Sequence, residues 1–244
     1  MRPDPPSFDP SHRAAEMDHP IPGKERHQRR LGVCLALTAG YLDGYGLLVL
    51  GTFVSFMSGN TTMAGVGIGQ GNLLAALSPG VAIVFFVAGS LVGNLVTHSR
   101  LRHSHRVLFG SVAALLIVVW ELGHDSMLKI VNIAGLGFGM GMINPALPHI
   151  GAEAVSLTFM TGTLSRIGSH LALALRRAPV PSPGGSWDTH LYRARIGAQL
   201  WASFIVGAAL SGMVMSVAKS FVLFPGIAIM VVLALVSTTE THAP

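Results

Sequence analysis

An aspartate and a run of polar residues interrupt the first apolar part of the chain. Asp43 is the only charged residue between positions 31 and 97, and the polar run extends from Ser58 to Thr62. An ionised carboxylate near the middle of a membrane-spanning helix costs about 2.5–3.5 kcal/mol, so it normally faces a partner or a water-filled cavity. Asp43 is therefore predicted to mark a binding site or an ion pathway. The alternative is a buried, hydrogen-bonded aspartate that only fixes helix packing.

The polar run has a second copy in the other half of the chain. Residues 55–60 read SFMSGN and residues 158–163 read TFMTGT, and a glycine-rich apolar segment with one polar residue, Asp43 or Asn144, precedes each. Many transporters build a central site from repeats around broken helices, although two apolar segments can also resemble each other by chance. The residues predicted to line the pathway are Asp43, Ser58, Gly59, Asn60, Thr61, Asn144, Thr161, Gly162, Thr163 and Arg166.

Arg166 places a positive charge beside the second copy. Because a guanidinium keeps its proton, Arg166 is expected to face a water-filled cavity or a carboxylate, with Asp43 and Glu153 as candidate partners. The sequence contains no zinc-protease, nucleophile-elbow or phosphate-loop motif. We therefore expect no enzymatic activity, no metal and no other cofactor.

The composition is that of a polytopic membrane protein. Half of the 244 residues are hydrophobic, 11% are charged and the mean hydropathy is +0.57, whereas soluble domains are about 25% charged. The net charge of +5 comes from basic residues that flank apolar segments and orient a membrane protein. The expected partner is thus the lipid bilayer and not nucleic acid. Cys34 is the only cysteine, which excludes a disulfide within the chain.

Residues 1–30 combine prolines with charges of both signs and lack apolar periodicity, so they are predicted to form a disordered cytoplasmic tail. A transmembrane domain is predicted over 31–237, and a short tail over 238–244. A helix needs about 20 residues to cross the hydrocarbon core. Apolar segments of roughly this length lie at 31–51, 53–70, 79–97, 106–122, 129–147, 154–175, 196–216 and 221–237.

The distribution of arginines decides between eight and six spans. Eight crossings from a cytoplasmic start would place the arginine-bearing loop 98–105 outside, against the positive-inside rule. If 53–70 and 154–175 are instead broken or re-entrant, the loops 98–105 and 176–195 both lie inside with the two termini. The predicted fold class is therefore an all-α helical bundle with six spans plus two re-entrant segments. These form an inverted repeat, about 31–122 and 129–237, and eight plain spans are the alternative.

Two glycine ladders, at positions 65–71 and 135–141, repeat glycine at every second residue. Each contains overlapping GxxxG pairs, which let helix backbones approach closely in lipid. Their predicted role is helix packing, and the same faces would allow a homo-oligomer.

The segment from Gly40 to Gly44, followed by FVSFMSGN at 53–60, resembles the YoaK family of bacterial multi-pass membrane proteins, a family of unknown function. That family shows a Gly-x-x-Asp pattern and then a Thr-Gly-Asn element, for which this chain has Ser58-Gly59-Asn60, with a Thr-Gly element in the second half. The resemblance covers about 31–237. It implies a bacterial plasma (inner) membrane protein and supplies neither a substrate nor established site residues.

Two functions remain open from the sequence. The first is a small-molecule or ion permease with a site near the bilayer midplane, built from Asp43 and the polar run 58–62. The second is a non-transporting membrane scaffold or partner subunit, in which the glycine ladders are the functional surfaces.

Overall fold

The computed structural model describes residues 23–99, 101, 103–122, 126–155 and 160–237. Within these ranges the chain forms the α-helices α1 Gly23–Tyr45, α2 Met57–Gly69, α3 Leu73–Thr97, α4 Ser104–Leu122, α5 Lys129–Ile143, α6 Met160–Leu175, α7 His190–Val217 and α8 Phe224–Val236. A short antiparallel hairpin, β1 His149–Ile150 and β2 Glu153–Ala154, follows α5.

The architecture is an all-α helical membrane bundle, as predicted. Five helical stretches in the described part of the chain are long and apolar enough to cross a membrane: Gly23–Leu50, Leu73–Thr97, Ser104–Leu122, His190–Val217 and Lys219–Val236. The fifth helix in the chain, α5, has only 15 residues. Short 3-10 turns at Ser126–Leu128 and Asn144–Ala146 lengthen it at both ends, so a sixth span would need these turns as well.

Contacts between helix termini define one end of the bundle, which we call the basic end. The backbone N–H of Gly151 in the hairpin donates to Gln28 Oε1 near the start of α1, at 3.1 Å. His105 Nε2 at the start of α4 lies 3.3 Å from the carbonyl oxygen of Ala146 after α5. Arg106 Nε donates to the carbonyl of Ser237, just after α8, at 2.7 Å. The basic end therefore gathers the starts of α1 and α4 and the ends of α5 and α8.

The segment that contains α6 enters and leaves the bundle at the basic end. Gly197 of α7 faces Thr163 and Ile167 of α6, while His170 further along α6 lies beside His190 at the start of α7. The two helices therefore run antiparallel, and α6 leads back towards the start of α7. With 16 residues, α6 is also shorter than the roughly 20 residues of a spanning helix.

The segment before α2 also folds back on its preceding helix. After a π-helical turn, Gly51 adopts φ +65°, a left-handed conformation that glycine reaches without steric cost. The chain then reverses, so that Val54 lies beside Gly46 and residues 54 and 55 reach Asp43. α2 has 13 residues and packs against α3.

Glycines allow the helices to pack backbone against backbone at two crossings. Where α1 crosses α7, a Cβ added to Gly40 would collide with the carbonyl of Phe204, and one added to Gly207 with the carbonyl of Leu37. Gly40 thus meets the residue three positions before Gly207, and Gly207 meets the residue three positions before Gly40. Small residues favour this close approach between helices in lipid.

The crossing of α3 and α5 has the same register. A Cβ on Gly141 would collide with the carbonyl of Phe86, and one on Gly89 with the carbonyl of Phe138. The second glycine ladder thus packs against other helices of the same chain: Gly141 meets α3, and Gly135 faces Val119 of α4. In the first ladder, Gly67 approaches the backbone of Ala76 in α3, while Gly65 and Gly69 have open space around them. The homo-oligomer contact stays a prediction.

Several predicted starts were wrong. α1, α3 and α7 begin earlier than predicted, at Gly23, Leu73 and His190 rather than at 31, 79 and 196, and α6 begins later, at Met160 rather than at 154. In α1 and α7, polar residues extend the helix because they are buried in tertiary contacts: Glu25 is 5% exposed and His190 4%. The rest of the predicted tail, 1–22, and the tail 238–244 lie outside the described residues.

Candidate functional site

Asp43 is buried near the end of α1, with an exposed fraction of 4%. Its Oδ1 accepts hydrogen bonds from the backbone N–H groups of Val54 at 2.8 Å and Ser55 at 2.7 Å. Its Oδ2 accepts from Ser55 Oγ at 2.6 Å. Successive backbone N–H groups of this kind form an anion-binding concavity. Asp43 is therefore a carboxylate whose oxygens are satisfied by the segment that precedes α2.

Asn60 fixes the same segment from the other side and is fully buried. Its Oδ1 accepts from Thr52 Oγ1 at 2.9 Å and from the backbone N–H of Phe53 at 3.1 Å. Its Nδ2 donates to the Phe53 carbonyl at 2.7 Å. Together, Asp43 and Asn60 supply side-chain partners to the non-helical backbone at 53–55, which lipid would leave unsatisfied.

The other residues of the polar run lie towards the outside of α2. Ser58 and Thr61 are exposed, and Thr61 Oγ1 donates to the Met57 carbonyl of its own helix at 2.8 Å. Gly59 is required by packing, because an added Cβ would collide with the ring of Phe56.

The residues of the second copy are distributed over two elements. Asn144 is half-buried and opens the 3-10 turn that follows α5. Thr161 is exposed and Gly162 half-buried in the first turn of α6. Because α6 packs on α7 whereas α2 packs on α3, the structure places Thr161 and Ser58 on helices with different packing partners. A cavity shared by these two hydroxyls stays a prediction.

Arg166 forms an ion pair with Glu153, the second of its two candidate partners, and not with Asp43. The distance from Arg166 NH1 to Glu153 Oε1 is 3.6 Å, and the same nitrogen donates to the carbonyl of Ala154. Thr163 and Arg166 line a cavity of about 20 Å³ next to Glu153 and Arg193. This volume is sufficient for one water molecule.

Glu153 is the centre of a larger group of charged and polar side chains at the basic end. Its Oε2 lies 3.4 Å from His170 Nε2 and 3.9 Å from Arg193 NH1. Arg193 in turn donates from Nε and NH2 to the two oxygens of Asp188, at 2.8 and 2.9 Å. Bidentate pairs of this kind are among the strongest hydrogen bonds in proteins. We call this set the ion cluster; its members are Glu153, Arg166, His170, Asp188 and Arg193.

Asp188 makes the stability of the ion cluster dependent on pH. Burial alone would raise the pKa of the Asp188 carboxyl, but hydrogen bonds from Arg193 and from the N–H of Gly184 outweigh it and hold the pKa below its usual value. A group with a lowered pKa stabilises the fold above its unfolded pKa, about 3.9 for aspartate, and this contribution is lost as the pH falls through the folded pKa.

We therefore expect Asp188→Asn to have a lower melting temperature than the wild type at pH 7. Between pH 5 and pH 3 the melting temperature of the variant should fall by less than that of the wild type. The physical reason is that asparagine forms no ion pair with the Arg193 guanidinium, offers it one acceptor oxygen rather than two, and does not titrate. Thermal unfolding of the purified wild type and variant at several pH values measures this difference. Equal decreases in the two proteins would show that Asp188 does not contribute.

Sequence reasoning missed three hydrogen-bond partners: Thr52 for Asn60, Ser55 for Asp43 and Asp188 for Arg193. Single hydroxyls are common in membrane helices, so nothing in the sequence distinguished the first two. Asp188 and Thr189 precede α7, and Thr189 Oγ1 accepts from the backbone N–H of Tyr192 at 3.1 Å as an N-cap. That N-terminal pattern was the available signal for the start of the helix.

The fold and the buried polar groups define the chain as an integral, multi-pass helical membrane protein. Residues 31–236 match the family described as "Protein of unknown function (DUF1275)", and the chain belongs to this family. It is also similar to the UPF0700 transmembrane protein RA0705 of Rhizobium meliloti (strain 1021), with 35% identity over 150 residues. This match covers 59% of the chain and 64% of that relative, so the chain spans less than two thirds of the relative's length. No solved structure matches the chain.

Proposed function

We propose that the protein is a small-molecule or ion permease of the plasma membrane, built as an inverted repeat around two broken helices. The observation that carries this proposal is the common register of the two glycine crossings. All four glycines meet the carbonyl three residues before the partner glycine. When the helices are matched by their order in each half, Gly40 of α1 corresponds to Gly141 of α5, and Gly207 of α7 to Gly89 of α3. In this alignment the first span of each half, α1 or α5, packs on the second span of the other half, α7 or α3.

The same alignment pairs the polar residues of the two halves. Asp43 lies three residues after Gly40, and Asn144 lies three residues after Gly141. Both occur where the regular α-helix ends, and each is followed by a non-helical segment and a short helix, α2 or α6. Paired discontinuous helices with polar groups at the breaks are characteristic of transporter sites near the membrane midplane.

A scaffold without transport activity is the second candidate, and the surroundings of Asp43 favour it. The carboxylate is 4% exposed and accepts three hydrogen bonds from within the chain. In a scaffold, the role of Asp43 would be to make these hydrogen bonds and so hold the segment before α2. In a permease they describe a closed site, in which the segment 51–56 must move before Asp43 can reach a ligand.

Flux measurements separate the two candidates. Wild-type protein and Asp43→Asn are reconstituted into vesicles, and the uptake of radiolabelled rubidium, chloride, an amino acid and a sugar is compared with that of protein-free vesicles. A permease gives uptake of at least one solute that Asp43→Asn abolishes. Uptake at the protein-free level for wild type, with both proteins equally well folded, would support the scaffold instead.

Cysteine labelling tests the six-span topology. Single cysteines at Ser104 and Ser182, in a Cys34→Ser background, are expected to react with an impermeant maleimide only after the cells are permeabilised, because both positions should lie at the cytoplasmic basic end. Ser220 is the matched control for the opposite end, where its carbonyl accepts from Trp120 Nε1 at 2.8 Å. A cysteine there should react in intact cells.

Labelling of position 104 or 182 from outside intact cells would reject the six-span topology. Because the permease and the scaffold share one fold, cysteine labelling tests the topology of both and does not distinguish their functions.

A further inference from the structure

We propose that the groove between α1 and α7 at the basic end binds an anionic phospholipid, with its phosphate on Arg29 and Arg30 and an acyl chain along the apolar floor. The groove has a volume of about 680 Å³, within the roughly 300–1,000 Å³ typical of small-ligand sites. It is open on one side, and the proposal is independent of any transport activity.

Helix geometry gives the groove a charged end and an apolar floor. Arg29, Val33 and Leu37 follow one another at four-residue intervals and therefore lie on one face of α1. Val206 contributes to the floor from α7. From Arg30 to Leu37 the helix rises about 10 Å, and Gly40 then meets the backbone of α7 and closes the groove. An amphiphile with a negative charge at one end matches this shape.

The two arginines have no carboxylate partner among the described residues that would neutralise them by an ion pair. Glu25 interacts electrostatically with Arg29, but no ion pair forms between them, and Glu25 hydrogen-bonds to Tyr192. Basic residues at the cytoplasmic side of a spanning helix attract anionic lipids. By contrast, a second copy of the chain docked face to face would bring its own Arg29 and Arg30 against these, and like charges repel.

Cys34 lines the groove and is exposed, so the natural chain carries a unique labelling site in the right place. Wild-type protein labelled there with bimane is placed in nanodiscs that contain brominated phosphatidylglycerol or, at the same mole fraction, brominated phosphatidylcholine. Bromine on the acyl chains quenches bimane only at short range. We expect phosphatidylglycerol to associate at least about fivefold more strongly, as one effective guanidinium would give.

Removal of the charges tests the phosphate contact. Arg29→Gln/Arg30→Gln should reduce the preference for phosphatidylglycerol to nearly one. The matched control is Arg176→Gln/Arg177→Gln, which removes the same charge from the loop after α6 and should keep the preference. An equal loss in both variants would overturn the proposal, because it would indicate general attraction of the basic end rather than a site.

Filling the floor tests the acyl-chain contact. Val206→Phe should reduce quenching by both lipids. Ile205 is exposed but lies outside the groove, on the neighbouring face of α7, so Ile205→Phe should leave the quenching unchanged. A wild-type preference near one would overturn the proposal. So would efficient copper-catalysed formation of Cys34–Cys34 dimers in unlabelled protein, because this would place a second copy in the groove.

Discussion

Asp43→Leu is expected to destabilise the protein by about 3 kcal/mol or more, whereas Asp43→Asn should remain folded. Leucine leaves two backbone N–H groups and the Ser55 hydroxyl buried without their acceptor, and each such group costs about 1–3 kcal/mol. Asparagine keeps an oxygen for the N–H groups of Val54 and Ser55. Its amide nitrogen can donate to Ser55 Oγ, because a hydroxyl can also accept.

The measurement is the fraction of protein that elutes as a single species in size-exclusion chromatography after heating. Thr38→Val is the matched control within α1. Thr38 is also fully buried, but its hydroxyl only donates to the Cys34 carbonyl of its own helix at 2.9 Å, so its loss should be mild. If Asp43→Leu were as stable as Thr38→Val, Asp43 would not hold the segment before α2.

The two Asp43 variants also separate folding from function. The permease proposal requires that Asp43→Asn, although folded, loses flux, because only the charge is removed. The scaffold alternative predicts a nearly neutral change. An Asp43→Asn protein that fails to fold would argue against the hydrogen-bond exchange with Ser55 described above.

The second large effect is expected at the helix crossings, where Gly207→Val should prevent stable folding. The new side chain would meet the Leu37 carbonyl and the backbone nitrogen of Tyr41, so α1 and α7 must separate along their length. Overpacking in a core commonly costs about 1–3 kcal/mol, and an obstructing backbone leaves no side chain that could move aside. We therefore expect the upper end of this range or beyond.

Gly212→Val is the control for this prediction, because it lies on the same helix with open space around it. It should express and melt like the wild type. Gly89→Val should reproduce the defect of Gly207→Val if the two crossings are equivalent. A stable Gly207→Val protein would contradict the backbone contact, and a stable Gly89→Val protein would contradict the equivalence of the halves.

The sequence alone determined the class of the protein and where its helices break. Low charge and long apolar segments require helices, because lipid leaves every backbone polar group to be satisfied internally. The predicted re-entrant segments contain α2 and α6, neither of which is among the helical stretches long and apolar enough to cross a membrane. Glycine at every second position also predicted the packing of the second ladder, whereas in the first ladder only Gly67 meets a neighbouring helix.

Tertiary structure decided which polar groups meet. Nothing in the sequence states that Asp43 would accept hydrogen bonds from residues 54 and 55, because this depends on a chain reversal at Gly51. Arg166 had two candidate carboxylates, and only the hairpin after α5 places Glu153 beside it. Likewise, nothing in the sequence marks Asp188 and Arg193 as partners. They pair because both are buried at the start of α7. Charges pair according to their separation in space and their burial, and neither quantity is determined by position along the chain.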